Sequence, residues 1–128
     1  MEMTRSPKLA PYVVAHDARG LIRFVEQGIG GRLSFEVLDA EGRLAHAEVR
    51  IADGVLMLGE QPDARSVFPA MLHLYVDDAP AAHRRAVAAG ATNVRTPADA
   101  GDGLCRGGVK DAWGNEWWFS SPVPSPGA

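Results

Sequence analysis

The side chains with chemistry to offer in this 128-residue chain are four histidines, one cysteine and a C-terminal run of aromatic residues. His73 sits in the alternating stretch Met71-Leu72-His73-Leu74-Tyr75-Val76. Strand alternation puts His73 and Tyr75 on one face and the aliphatic residues on the other. A histidine so placed either completes a pocket wall through hydrogen bonds or serves as a donor or general base near neutral pH. His46 and Glu48 share a face of a second alternating stretch, opposite Ala47, Val49 and Ile51. The simpler reading is an exposed polar face. The alternative is a cluster of His46, Glu48, His73 and Glu116 able to hold a metal. His16 and His83 fall in a loop and on a helix and are expected to face solvent.

Alternation in Glu116-Trp117-Trp118-Phe119 separates Glu116 and Trp118 from Trp117 and Phe119. Trp117 and Phe119 are expected in the core. Trp118 is expected to floor an apolar pocket or close it. Arg106 has the fork geometry to clamp a carboxylate or phosphate, though an exposed surface arginine needs no such role. Cys105 reads as a small buried hydrophobe, and a lone cysteine excludes an internal disulfide. The glycine-rich stretch 101–108 is followed by no Gly-Lys-Ser/Thr, so it is not a phosphate loop. Nothing resembles a serine nucleophile elbow.

The elements that must carry these residues repeat. Residues 9–14 form an apolar strand pattern, and Asp17 is placed to cap a helix with Ala18, Leu21, Ile22, Val25 and Ile29 at helical spacing. Two alternating strands follow, then Asp53-Gly54 as a turn and a fourth strand over 55–58. Residues 60–69 read as a linker. The plan then restarts: strand 71–76, a helix capped by Asp77 or Asp78 with an apolar stripe of Ala79, Ala82, Ala86 and Val87, a short strand 92–95, loop 97–103, and two further strands around Trp113-Gly114-Asn115. Strand–helix–strand–strand–strand occurring twice at an offset of sixty or sixty-one residues implies an internal repeat. Each half is too small to bury its own sheet face alone, so a shared core is expected.

Thirteen Lys and Arg against sixteen Asp and Glu give a net charge of −3, with no basic run to meet a nucleic-acid backbone. No apolar run reaches the ~20 residues that cross a bilayer, and the N-terminus lacks a signal-peptide core. A soluble, cytoplasmic protein with neither nucleic acid nor membrane as partner is expected.

Three segments carry a family resemblance: His46-Ala47-Glu48 leading to Asp53-Gly54-Val55-Leu56-Met57-Leu58; Leu74-Tyr75-Val76-Asp77-Asp78 with Ala86-Val87-Ala88-Ala89-Gly90-Ala91; and Asp111-Ala112-Trp113-Gly114-Asn115-Glu116-Trp117-Trp118. They resemble the vicinal-oxygen-chelate superfamily of glyoxalases, bleomycin-resistance proteins and extradiol dioxygenases, with Ala112 where the family turn usually has proline. The resemblance implies an α+β fold, in which paired βαβββ modules form one curved mixed sheet around a cleft. A single domain is expected over 1–128, with modules at about 8–60 and 70–121 and a Pro-rich tail over 122–128.

Catalytic members hold a divalent metal through His, Glu or Gln on four strands. The matching positions here are Ala10, Met57, Met71 and Trp118. None supplies a hard oxygen or imidazole ligand, and a thioether is too soft for the metals concerned. A slip of one residue recovers no ligand at any of them, and only a two-residue slip brings in Glu116. The expectation is a homodimer with no cofactor, binding a small, largely apolar molecule through Tyr12, Met57, Met71, His73, Tyr75, Arg106, Glu116 and Trp118. The alternatives are a lyase, isomerase or dioxygenase, either metal-free with His73 as acid/base or using a displaced metal site.

Overall fold

The computed structural model describes residues 9–63 and 67–124. Its chain divides into two compact units, 1–70 and 71–128. In the first, β1 (Tyr12–Ala15) leads into helix α1 (Ala18–Phe24), which widens into a π-helical turn over Val25–Ile29, followed by β2 (Arg32–Leu38), β3 (Leu44–Ile51) and β4 (Gly54–Glu60). In the second, β5 (Met71–Tyr75), α2 (Ala79–Ala88), β6 (Thr92–Asp99), β7 (Leu104–Lys110) and β8 (Glu116–Pro122) repeat the order.

The repeat extends to strand pairing. The first sheet runs β1-β4-β3-β2 and the second β5-β8-β7-β6. In each, the first strand lies parallel to the fourth and the other pairs are antiparallel. These are the expected α+β paired βαβββ modules, with hydrogen bonding that closes two four-stranded mixed sheets, one per module.

In the first module Val13, Leu21, Ile22, Phe24, Val25, Val49, Leu56 and Leu58 are buried, so α1 covers one face of its sheet. Each large apolar side chain taken from water stabilises the fold by about 1.5–3 kcal/mol. Asp17 caps α1 through Gly20 N at 3.2 Å, at the cost of a left-handed backbone with φ 48°. Glu60 lies at the end of β4, and its carboxylate accepts Ala18 N at 3.1 Å and Leu44 N at 3.3 Å. It therefore ties the helix start to β3. The 60–69 segment is more than a linker, since Phe68 and Val14 exchange backbone hydrogen bonds of 3.1 and 2.8 Å on the free edge of β1.

In the second module Trp117 and Phe119 are each 1% exposed and form the core with Val109 and Ala86. Asp78 caps α2 through Ala81 N, and Ser121 Oγ accepts Ala79 N at 2.8 Å. The stripe that α2 buries is Ala79, His83 and Ala86. Val87 is exposed instead, because the 79-83-86 spacing centres the inward face on His83. His83 thus leaves solvent and pairs with Asn93 Oδ1 at 2.7 Å.

Three further boundaries differ from expectation. The first strand starts at Tyr12. The β3–β4 loop is Ala52-Asp53, with Ala52 at φ 53°, and Gly54 already belongs to β4. The pairing forces Ala into the positive-φ place that glycine holds in a II′ hairpin. Strand β6 continues to Asp99, beyond the expected stop near Arg95. Pro97 is accommodated because β6 is an edge strand whose register slips by one residue between Arg95 and Ala98. Cys105 is half-buried. Of the expected tail, Pro122 closes β8, and residues 125–128 lie outside the described residues.

Candidate functional site

The expected site residues gather on two sheet faces, one in each module. On the second module, the parallel register sets Met71 beside Glu116, His73 beside Trp118 and Tyr75 beside Ser120. The antiparallel register then sets Arg106 beside Ser120 and Gly108 beside Trp118. Six of the eight expected residues therefore share this face. Met71 and Tyr75 are 70% and 74% exposed, so the face is open.

Trp118 is half-buried and laid across Gly108, which has no side chain to displace it. Its Nε1 donates to Glu116 Oε1 at 3.0 Å, which fixes the indole and engages one oxygen of that carboxylate. His73 stacks obliquely on Tyr75, with ring centroids 5.0 Å apart and planes at 37°. Its Nε2 lies 2.8 Å from Ser120 Oγ. Arg106 Nε donates to the same oxygen at 2.9 Å, and Nη2 pairs with Asp102 Oδ2 at 2.9 Å. Partial desolvation of the ring, with the Arg106 cation beside it, holds the His73 pKa below its ordinary value.

On the first module, Tyr12 and Glu48 both lie in register with Met57. Glu48 is fully buried, which corrects the expectation of an exposed polar face. Its Oε2 lies 3.1 Å from His46 Nε2, and its Oε1 has no hydrogen-bond partner. Tyr12 OH reaches within 3.5 Å of His46 Nδ1. It gets there by passing over Gly59, where a Cβ would stand 2.8 Å from the phenol oxygen.

The turn between β7 and β8 has a structural task. Asp111 Oδ1 accepts Trp113 N and Asn115 N, each at 2.9 Å. Its Oδ2 accepts Asn115 Nδ2 at 3.0 Å and Trp117 Nε1 at 2.9 Å. One buried carboxylate thereby fixes the hairpin that sets Glu116 and Trp118 on their face.

The described residues at these positions do not fit a divalent metal. Ala10, Met57, Met71 and Trp118 form no donor set, and nearby His73 and Glu116 are already engaged by Ser120 and Trp118. Among the described residues no group of three or more His, Cys, Asp or Glu is placed to hold an ion. Alternation of Glu116, Trp118 and Ser120 puts Ser120 on this face, and the structure adds that its hydroxyl joins His73 to Arg106.

Comparison with known proteins agrees with this architecture. A family model described as the Glyoxalase/Bleomycin resistance protein/Dioxygenase superfamily matches residues 9–119. The uncharacterized protein Mb0911c of Mycobacterium bovis is 31% identical over 134 residues, spanning 96% of this chain and 88% of its own. TioX from Micromonospora sp. ML1 superposes with a TM-score of 0.76 at 22% identity, over 91% of this chain and 99% of that one. A glyoxalase/bleomycin resistance protein/dioxygenase family enzyme from Burkholderia phytofirmans PsJN gives 0.72 at 14% identity, over 89% and 97%.

Proposed function

Because the chain belongs to the glyoxalase/bleomycin resistance protein/dioxygenase superfamily, we propose that it binds a small, largely apolar molecule without a metal. The observation that carries this reading is Trp118. It stands at a position where catalytic relatives place a ligand, and its indole is held by Gly108 and Glu116 beside exposed Met71 and Tyr75. Such a platform stacks planar or aliphatic groups, and the polar atoms of His73 and Arg106 at its edge orient them. Tyr12 and Met57 offer an apolar surface of their own on the first module. The two modules act as one domain in this proposal, and the working form is a cytoplasmic homodimer, which light scattering tests.

The test is a tryptophan-fluorescence screen of small molecules. A ligand that quenches the wild type is expected to lose its effect in Trp118→Ala and to change affinity only modestly in His73→Ala. Quenching that survives Trp118→Ala contradicts the proposal. The second reading is a metal-free lyase or isomerase with His73 as acid or base, favoured by the lowered His73 pKa. It requires any activity found to fall steeply in His73→Ala, with a pH limb at the pKa of that ring.

A further inference from the structure

The hydrogen bonds around Ser120 can be counted to a single solution, and that solution fixes where His73 carries its proton. Ser120 is fully buried. Its hydroxyl offers one proton and two lone pairs. Arg106 Nε can only donate, and it does so to Ser120 Oγ at 2.9 Å. His73 Nε2 is the other neighbour, at 2.8 Å. If that nitrogen carried a proton, Ser120 Oγ would accept twice and its own hydrogen would point at no acceptor. A buried hydroxyl proton without an acceptor costs about 1–3 kcal/mol. If the nitrogen is bare, the serine hydroxyl donates to it and every group is satisfied.

The geometry points to a neutral His73 protonated on Nδ1, with Arg106 and Ser120 as positioning residues that set this tautomer. The proton that Ser120 leaves on Nδ1 makes the exposed side of the ring a hydrogen-bond donor. We infer that the second-module face takes a ligand with an acceptor oxygen, a carbonyl or carboxylate, next to the apolar group that stacks on Trp118. Three observations agree. His73 is an exposed residue, and its Nδ1 makes no hydrogen bond among the described residues. Burial and the neighbouring Arg106 guanidinium, itself paired with Asp102, both disfavour a charged ring, which keeps His73 in the neutral form this assignment needs. Glu116, the carboxylate that would repel such an oxygen, is held by Trp118 Nε1. His73 then gives a hydrogen bond where a general base would take a proton.

The tautomer is read without any ligand, so it is tested apart from the binding proposal on which the ligand class rests. Protein labelled with 15N-histidine is examined by multiple-bond proton–nitrogen correlation at neutral pH. In the wild type, His73 Nδ1 is expected to show the protonated, pyrrole-type resonance and Nε2 the bare, pyridine-type one. Ser120→Ala is expected to shift the ring toward Nε2–H, the form that free histidine prefers. Arg106→Met frees the serine hydroxyl to turn and is expected to move the ratio the same way, at a half-buried position where the fold is less at risk. An Nε2–H ring in the wild type, or a ratio unchanged in both variants, overturns the assignment. For the ligand, benzoate carries a planar ring with acceptor oxygens only, and benzylammonium the same ring with donors only. Benzoate is expected to shift the His73 Nδ1 resonance and benzylammonium to leave it in place. Benzoate that quenches Trp118 fluorescence and leaves Nδ1 unmoved overturns the acceptor-oxygen inference and keeps the platform. Failure of both rings to quench counts against the platform itself.

Discussion

Trp118 rests on Gly108 so closely that a Cβ on the glycine would stand 2.6 Å from Cδ2, 2.8 Å from Cε2 and 2.9 Å from Cε3 of the indole. The bare backbone of β7 is thus part of how the platform is built. Gly108→Ala must push the ring off its seat or bend the strand. Overpacking of this kind costs about 1–3 kcal/mol. A fall of that size in the denaturant midpoint, with a shifted tryptophan emission maximum, is expected. Wild-type stability and emission in the variant would show that the indole does not depend on this contact.

Asp111 is the second fixed point of the face. Four donors converge on its buried carboxylate: two backbone amides, the Asn115 amide and the Trp117 indole. Asp111→Ala removes the acceptor of all four bonds from a largely buried turn, where a group left unsatisfied costs about 1–3 kcal/mol. A loss of at least about 3 kcal/mol in unfolding free energy is expected, and a loss within ~0.5 kcal/mol, the range of an ordinary surface change, would contradict the role given to this turn.

Ala52 offers the opposite sign. Its φ of 53° is a conformation that L side chains resist and glycine does not. Ala52→Gly is expected to raise stability by about 1 kcal/mol, the local relief exceeding the added freedom of the unfolded chain. Calorimetry reads this as a higher Tm, and a lower one would contradict it.

These cases show what the sequence could and could not disclose. The repeat was legible because period-2 and period-3.6 patterns recur along both halves, and alternation placed Trp117 and Phe119 in the core and Trp118 on the other face. Glu48 was misread because the same alternation says which face a residue takes and nothing about whether that face is covered. His83 was misread for a related reason, since a helix carrying alanines at 79, 81, 82, 86 and 88 leaves the centre of its apolar stripe undetermined. Ser120 carried no motif at all. Its importance comes from Arg106 and His73 meeting one hydroxyl from different strands, a relation that exists only in three dimensions. Pro97 argued for a loop by its chemistry, and the bulge that admits it into β6 depends on pairing with β7.

The lowered pKa of His73 gives a signed pH effect. A base whose folded pKa lies below its ordinary 6.5 is charged more readily in the unfolded chain. Its contribution to stability is therefore complete above about pH 6.5 and is lost as pH falls from there through the folded pKa. His73→Gln is expected to flatten the acid side of the stability profile in that window and leave the alkaline side unchanged. An acid limb identical to the wild type would show that His73 keeps its ordinary affinity for protons.

The central proposal is that this chain binds its ligand without a metal. Elemental analysis by mass spectrometry, on protein purified without a histidine tag, tests it most directly. Metal far below one equivalent per chain, with no divalent ion raising the Tm, is the predicted result. Zinc, nickel, manganese or iron near one equivalent, lost together with stability on chelation, would contradict the account and require a donor set other than Ala10, Met57, Met71 and Trp118.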